Sequence, residues 1–282
     1  MRRLSYTFTL LFLLSVIASG CAETEQPYVG YIIIERAVVD ASAGSTATIT
    51  AETDLSLPIL AEIDEEGAAW CTLSVKGKEI TVTTTQANTE TAYRTATVNA
   101  KCGYRMATFT VLQKYEGQEY LEYDWTRWTA TGSDVQAGDG GGYPSLFTES
   151  QTTFWHSQYS TPTPCPHWLL IDMKEELTCH LFRIARRFYA GNGNYYPSVK
   201  VMEVHASVDN ENFTRVGGFT FALPWIAPDG TTVNGNSPKV PPYEDIILSE
   251  PVTARYVKLV ITETNNTSGT AQVAYFKAYE KI

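Results

Sequence analysis

The chain has 282 residues, of which 44% are hydrophobic, 12% aromatic and 18% charged, and its formal net charge is −10 at pH 7. This composition is typical of a globular protein and argues against a disordered chain. Because no region is basic, the charge also argues against nucleic acid or anionic lipid as a charge-bound partner, whereas a neutral partner such as a sugar is compatible with it.

The first 20 residues have the pattern of a signal peptide. Arg2 and Arg3 precede an apolar run over 10–18, which is shorter than the roughly 20 residues that a membrane-spanning helix needs. The run ends at Ala18-Ser-Gly-Cys21, which resembles the lipobox of bacterial lipoproteins. The resemblance implies cleavage before Cys21 and acylation of its thiol, with residues 1–20 as signal peptide and 21–28 as a tether. The alternative is an ordinary secretory signal followed by a chance cysteine.

The residues after the predicted lipid site bear on its location. Glu23 and Glu25 follow Cys21 closely, and acidic residues at this place resemble the surface-export signal of Bacteroidetes lipoproteins. The resemblance implies an outer-membrane lipoprotein that faces the cell exterior. The lipid is then the expected membrane contact, since no later segment reaches transmembrane length.

Four further cysteines bear on metal binding and redox state. No two of them form a Cys-x-x-Cys pair, which argues against zinc. An exported protein meets oxidising conditions, which permit one disulfide in each half of the chain. Buried free thiols are the alternative. The four residues are Cys71, Cys102, Cys165 and Cys179.

Residues 29–116 predict a small β-sandwich. They are rich in Val, Ile and Thr, and short stretches such as 80–83 alternate apolar with polar residues. The stretch from Arg94 to Val98, a turn, and the stretch from Ala107 to Gln113 resemble the end of BACON domains. The resemblance implies an immunoglobulin-like sandwich.

Three residues of this segment fall where the BACON pattern places Trp, Asn and Arg, namely Trp70, Asn88 and Arg94. We expect Trp70 to be a core residue. Because the segment has few other aromatics, we expect this domain to act as a spacer rather than as the sugar-binding module.

Residues 120–282 carry six segments, in order, that resemble a second family. The segments are Trp128-Thr-Ala-Thr, Leu146 to Ser157, Trp168-Leu-Leu-Ile-Asp172, Ile184 to Arg187, Ser207 to Phe213, and Ala254 to Leu259. They are similar to the coagulation-factor type C or discoidin domain, also called carbohydrate-binding module family 32. The resemblance implies an eight-stranded, galactose-binding-like jelly roll. The expected fold class is therefore all-β, an immunoglobulin-like β-sandwich followed by a discoidin-like jelly-roll β-sandwich.

The residue pattern also predicts part of the second core. The apolar run after Trp168 favours a strand buried on both faces. We expect Trp155, Trp168 and Tyr256 to be core residues, and Asp172 to pair with an arginine or with backbone amides inside the sandwich.

A sugar site is implied by the spacing of three polar residues. In family members that bind galactose-like sugars, a histidine, an arginine and an asparagine reach the ring from separate loops. Here Arg187 and Asn194 are seven residues apart, and His156 precedes Arg187 by 31. Arg187 would donate paired hydrogen bonds to the sugar, while Asn194 and His156 would donate or accept. The alternatives are a structural His156 with a surface Arg187, or Arg186 as the ligand arginine in the other strand register.

The family often places an aromatic platform in the loop before the last strand, and here that loop, 265–269, has none. Other aromatic side chains in predicted loops are candidates to take its place. They are Tyr159, Tyr195, Tyr196 and Trp225, with Tyr143 beside a glycine loop as a further one.

A calcium ion is also implied by many relatives, which hold it with an Asp-Gly-Asp stretch. Here the stretch reads Thr148-Glu149-Ser150. Glu149 and backbone carbonyls are the expected ligands, and the alternative is a loop that needs no ion.

No catalytic motif for hydrolysis, phosphoryl transfer or dinucleotide chemistry occurs, and we expect no enzymatic activity. The predicted function is glycan binding at the cell surface, beside neighbouring proteins of a polysaccharide-uptake system. The alternative is a structural or protein-interaction lipoprotein that uses the discoidin-like loops to bind a partner protein.

Overall fold

The computed structural model describes residues 29–282. The predicted signal peptide, the lipid site Cys21 and the tether up to residue 28 lie outside the described residues. The chain divides into two compact units between Glu116 and Gly117. The regular secondary structure within 29–282 is β-strand apart from one short α-helix and one 3₁₀ helix. No helix within 29–282 has the length and apolar character that a membrane span requires.

The first unit is a two-layered β structure. One sheet has the order β2-β9-β8-β5, a second has the order β3-β7-β6, and β1 pairs with β4. Only β2 and β9 run parallel within these sheets. The elements are β1 (Ile32–Ile33), β2 (Ala37–Val39), β3 (Thr46–Thr50), β4 (Glu52–Thr53), β5 (Ile59–Ile63), helix α1 (Glu65–Ala68), β6 (Cys71–Lys76), β7 (Glu79–Thr84), β8 (Arg94–Cys102) and β9 (Arg105–Gln113).

Alternation along the strands builds the core of this unit. Every second residue of β8 from Ala96 onward is buried and the residues between them are exposed, as period-2 geometry requires. Trp70 is buried in this core, as predicted, and the Arg94 guanidinium lies 4.8 Å from its ring centroid. Arg94 also donates through Nε to Gln113 Oε1 at 2.8 Å, and Asn88 Nδ2 donates to the Ala92 carbonyl at 2.9 Å. These three residues therefore stabilise the unit.

The second unit is built around two long strands, β13 and β20. A seven-stranded sheet has the order β10-β22-β13-β20-β16-β17, and β11 also pairs with β13. Three two-stranded sheets, β12-β21, β14-β15 and β18-β19, complete the unit. The strands are β10 (Tyr120–Glu122), β11 (Thr129–Gly132), β12 (Trp155–His156), β13 (His167–Ala185), β14 (Phe188–Tyr189), β15 (Asn194–Tyr195), β16 (Val199–Ser207), β17 (Thr214–Thr220), β18 (Trp225–Ile226), β19 (Thr232–Val233), β20 (Tyr243–Thr264), β21 (Gln272–Val273) and β22 (Phe276–Lys281), with a 3₁₀ helix at Tyr143–Phe147.

Strand β13 corrects one prediction about the core. Its first half is buried at alternate positions only, with Leu169 and Ile171 inside and Trp168 half-buried on the other face. Lys258 Nζ lies 4.9 Å from the Trp168 ring centroid. The prediction of a strand buried on both faces was therefore wrong. Trp155 is fully buried, as predicted, but Tyr256, like Trp168, is only half-buried.

Asp172 pairs with an arginine, as predicted, but on the partly exposed face of β13 and not inside the sandwich. Arg255 donates to it through Nε at 3.0 Å, and the Lys174 ammonium lies at 3.0 Å. Burial alone would raise the pKa of Asp172, but the hydrogen bonds from Arg255 and Lys174 lower it to about 2. This carboxylate therefore fastens the solvent side of β13 to β20.

The four cysteines within 29–282 are free thiols, so the alternative of unpaired cysteines describes the structure. Cys71, Cys102 and Cys179 are buried. Burial raises the pKa of Cys71 to about 11 and that of Cys179 to about 12. Both are protonated at neutral pH and behave as small apolar core residues.

Candidate functional site

Separate segments of the second unit meet around Phe154. Strand β12 follows this residue and pairs with β21, which places His156 opposite Gln272. The Phe154 amide donates to the Gly140 carbonyl at 2.7 Å, which fixes the glycine loop beside it. Gly140 has φ of +70°, and a Cβ there would overlap the Phe154 carbonyl oxygen, so the close approach requires glycine.

Arg187 follows β13 and lies among aromatic rings. Its guanidinium carbon is 4.0 Å from the ring centroid of Phe154, 4.9 Å from that of Tyr196 and 5.9 Å from that of Tyr189. No carboxylate within 29–282 forms an ion pair with it. Its Nε is buried and has no hydrogen-bond partner among the described residues. The cation is thus held in place by ring faces while its hydrogen-bonding capacity remains unused.

His156 presents an acceptor next to this cation. Its ring is buried, and Nδ1 lies 2.6 Å from the Ser157 carbonyl oxygen. Because a carbonyl only accepts, Nδ1 carries the hydrogen, and the neutral ring keeps a lone pair on Nε2. Burial lowers the pKa of His156 from 6.5, and the nearby Arg187 charge lowers it further. The ring is therefore neutral at pH 7, and Nε2 is available to accept a hydrogen bond.

Two exposed aromatic side chains flank these polar groups. Among the aromatics of 117–282, Tyr159 and Tyr189 are the most exposed, at 48% and 45%. The Tyr159 ring packs edge-on against His156 with centroids 4.9 Å apart. Tyr189 meets Tyr196 edge-on at 6.3 Å. Exposed rings beside a cation and a hydrogen-bond acceptor can pack on an apolar face and pair with polar groups of one small ligand.

The other predicted site residues lie on the hairpin that carries Arg187 or next to it. Asn194 pairs with Tyr189 across β14 and β15, and its side-chain amide makes no hydrogen bond within 29–282. Tyr195 packs against Phe188 at a centroid distance of 4.8 Å, and Trp225 packs against Phe221 at 5.2 Å. The rings of Tyr195 and Trp225 thus pack against other aromatic side chains, whereas the Asn194 amide makes no hydrogen bond within 29–282 and can pair with a ligand.

The choice between the two arginines follows from their partners. Arg186 is buried, donates to the Pro241 carbonyl at 2.8 Å and pairs with the Glu244 carboxylate. Neighbouring residues in an extended segment point to opposite sides, so Arg187 faces away from this pair. Arg187 is therefore the available arginine of the two.

A sequence model of the F5/8 type C domain matches residues 129–276, which is more than half of the chain. The chain belongs to the F5/8 type C domain family. The match includes His156, Arg187, Asn194 and Gln272, so the candidate site lies inside the F5/8 type C domain. A second model, BACON, whose description names an N-terminal binding domain, matches 60–114. The resemblances to the BACON domain and to the coagulation-factor type C domain are therefore confirmed.

Solved structures similar to the chain include carbohydrate-binding modules. One is the family 32 module of Clostridium perfringens NanJ in complex with galactose, at 17% identity, covering 57% of this chain and 99% of that one, with a TM-score of 0.43. Another is the C-terminal domain of a chitobiase from Bacteroides fragilis, at 21% identity, 57% and 99% coverage and a TM-score of 0.44. No curated protein sequence matches the chain.

Glu149, the predicted calcium ligand, lies beside the ammonium group of Lys277. Its carboxylate is 3.2 Å from Lys277 Nζ, which also lies 2.8 Å from Glu122. Nowhere in the described part of the chain do three or more His, Cys, Asp or Glu side chains group as a metal site. A calcium ion is coordinated by six to eight oxygen atoms, so backbone carbonyls would have to supply most of them. The calcium ion and its ligand Glu149 stay predictions.

Three residues of this candidate site were not predicted from the sequence, namely Phe154, Tyr189 and Gln272. Tyr189 carried a usable signal, because it follows Arg187 by two positions and so shares its face in an extended segment. Phe154 directly precedes Trp155 and His156, and it is itself buried, so the sequence gives it no signal apart from that of a core aromatic. Gln272 gave no signal, because its position opposite His156 depends on strand pairing between residues far apart in sequence.

Proposed function

We propose that the F5/8 type C domain binds carbohydrate without catalysing a reaction, and that Arg187, His156 and Asn194 contact the sugar. The environment of Arg187 carries the proposal. A half-buried guanidinium that has no acidic partner within 29–282 carries an uncompensated charge in the free protein, and a ligand that accepts hydrogen bonds from it offsets that cost. A sugar hydroxyl supplies such an acceptor.

The remaining groups complement a galactose-like ring with neighbouring hydroxyls. Arg187 donates from a planar fork, His156 Nε2 accepts, and the Asn194 amide does both. Tyr189 and Tyr159 offer exposed faces on which C–H groups of a ring can pack. The combination of one face for packing and several directional groups favours a sugar over a purely apolar ligand.

The chemistry of these side chains supports binding and not hydrolysis. A glycosidase needs two carboxyl groups across the scissile bond. The proposed contacts are a guanidinium, an imidazole, an amide and phenol rings, and they include no such pair.

We also propose a setting for this domain. The chain would be an outer-membrane lipoprotein anchored through Cys21 and facing the exterior, next to surface proteins of a polysaccharide-uptake system. The BACON domain would serve as a spacer, because Trp70, Asn88 and Arg94 are all engaged in its own packing and hydrogen bonds.

A glycan array tests the proposal, with the chain from residue 22 onward displayed multivalently so that weak sites are detected. We expect the wild-type protein to bind a galactose-like glycan. Arg187→Lys keeps the positive charge but loses the planar guanidinium with its paired donors, so its glycan affinity should fall at least tenfold. Asn194→Ala should also lower the glycan affinity. Binding that survives both substitutions would remove these residues from the site. A folded protein that binds no glycan would support a protein partner instead.

A further inference from the structure

A cavity of about 300 Å³ adjoins the Arg187 site. Tyr196 forms one wall of it and also lies against the Arg187 guanidinium, at 4.9 Å from ring centroid to guanidinium carbon. The opposite walls come from the segment 234–236 and from Asn265 and Gln272. No charged side chain lines the cavity. It is therefore a neutral, amide-rich compartment that shares one wall with the proposed sugar site.

The amide groups of the cavity fall into two classes. Asn265 is fixed, because its Nδ2 donates to the carbonyls of Phe221 at 2.7 Å and Pro197 at 2.8 Å and its Oδ1 accepts from the Leu223 amide. Asn234 and Asn236 are exposed, and their side chains make no hydrogen bond with any described residue. One wall is thus rigid, and the other offers unused donors and acceptors.

Gln272 adds a second unpaired polar atom to the wall of this cavity. Its Oε1 is buried and has no hydrogen-bond partner. Within 29–282, the only buried side-chain atoms in this state are Gln272 Oε1 and Arg187 Nε. Tyr196 connects the two, since it lines the cavity with Gln272 and packs on Arg187. A buried acceptor and a buried donor without partners therefore occur on adjoining sites, and nowhere else in the described chain.

The wall at 234–236 is held firmly in place. Val233 and Val240 on either side of it are buried in a small apolar cluster with Phe221, against which Tyr195 and Trp225 also pack. Backbone hydrogen bonds between Tyr195 and Ser237, at 3.1 and 3.3 Å, tie this segment to the hairpin of Arg187. The packing of Tyr195 and Trp225 therefore positions the cavity relative to Arg187.

We propose that this cavity is a second sugar subsite, which takes the ring next to the one at Arg187. The ligand is then a neutral oligosaccharide of at least two rings, an inference that rests on the proposed function. The uncharged walls exclude a carboxylated or sulfated ring from any charge pairing in this subsite. The volume lies at the low end of the roughly 300–1,000 Å³ found for small-molecule sites, so it suits one ring rather than a longer chain.

The test uses neutral glycans that present galactose, N-acetylgalactosamine, glucose, N-acetylglucosamine or mannose, each as a single ring and as the terminal ring of disaccharides. The disaccharide that binds most tightly and the single ring that forms its end are then compared by calorimetry, with the chain from residue 22 onward. We expect the disaccharide to bind about tenfold more tightly than the single ring, which corresponds to about 1.4 kcal/mol. The double variant Asn234→Ala with Asn236→Ala should lose that gain and keep the affinity for the single ring.

Two further variants sharpen the result. Gly235→Phe places a ring at the cavity wall, where a Cβ meets no atom within 4 Å, and it should remove the same gain without strain. Asn99→Ala, an exposed asparagine in the other unit, is the matched control and should behave as wild type.

The outcomes separate the subsite from the proposed function. If Arg187→Lys loses binding while the Asn234 and Gly235 variants keep the full disaccharide gain, the subsite is wrong and the proposed function stands. A wild-type protein that shows no disaccharide gain, or a double variant that loses the single ring equally, also overturns the subsite. If no glycan binds to wild type, both proposals fall.

Discussion

Substitution of methionine for Arg187 should abolish glycan binding and leave stability nearly unchanged, whereas the same substitution at Arg186 should lower stability. Arg187→Met keeps most of the apolar stem but loses two close ring contacts, worth about 0.5–1 kcal/mol each at partly exposed sites. The same change removes a buried, unbonded Nε, whose burial costs about 1–3 kcal/mol. These effects nearly cancel, so we expect the free energy of unfolding to stay within about 1 kcal/mol of wild type while glycan binding is lost.

Arg186→Met should instead destabilise the domain. The change removes the hydrogen bond to the Pro241 carbonyl and leaves Glu244 without its cation. Breaking a buried pair costs about 3–5 kcal/mol, and because the Glu244 side chain remains 27% exposed we expect the lower end, about 3 kcal/mol.

Denaturant unfolding followed by tryptophan fluorescence measures this difference. Five of the six tryptophans lie beyond residue 117, so the signal reports mainly on the F5/8 type C domain. Glycan affinity is measured on the same samples. A loss of 3 kcal/mol or more in Arg187→Met, with binding that falls only as the folded fraction falls, would show that Arg187 is structural and would refute the reasoning.

Three other perturbations follow from the structure. Burial lowers the pKa of His156 from 6.5, and Nε2 accepts only while the ring is neutral, so the glycan affinity measured by calorimetry should be nearly constant between pH 8 and 7 and fall in acidic buffer. An affinity that rises on acidification would contradict this. Gly140→Ala should displace the Phe154 backbone and lower affinity at least tenfold with the domain still folded, as near-ultraviolet circular dichroism would check; wild-type affinity would disprove the role of this contact. Gln113→Leu removes hydrogen bonds to Arg94, Ala41 and Gln86 and should destabilise the BACON domain by about 3 kcal/mol in calorimetry, with monovalent glycan affinity unchanged; reduced affinity would argue against a spacer.

Local sequence patterns were sufficient for much of the fold. Alternation at 80–83 and 109–111 corresponds to strands β7 and β9, and both family resemblances are confirmed by matches over 60–114 and 129–276. The Arg187 charge acts on His156, and Asn194 pairs with Tyr189 near Arg187, while the role of these three residues in binding stays a prediction. Short-range periodicity and ordered motifs survive in a single sequence, which is why these features could be predicted.

Features that depend on strand register could not be predicted. The two adjacent arginines are equivalent in sequence, and only the partners at Pro241 and Glu244 decide which of them is engaged. Trp168 reads as a core residue because it begins an apolar run, yet its face of β13 is only half covered. A shift of one residue exchanges the two faces of a strand, and one sequence does not encode which partner lies across each face.

The position of Gln272 is the extreme case of this limitation. Its importance comes from a pairing with His156 more than a hundred residues earlier and from the lack of any partner for its buried oxygen. Neither property leaves a mark on neighbouring residues. The same holds for the cavity beside Tyr196, whose walls come from several distant segments.

The most direct test of the account follows the Arg187 Nε–H resonance by nitrogen-15 NMR while the tightest-binding neutral glycan from the array is added. We predict a shift of this resonance and slower hydrogen exchange, because the buried donor gains an acceptor, with further shifts at Tyr196 and Gln272. A glycan that binds without moving the Arg187 resonance, or that shifts only residues before Gly117, would contradict the account.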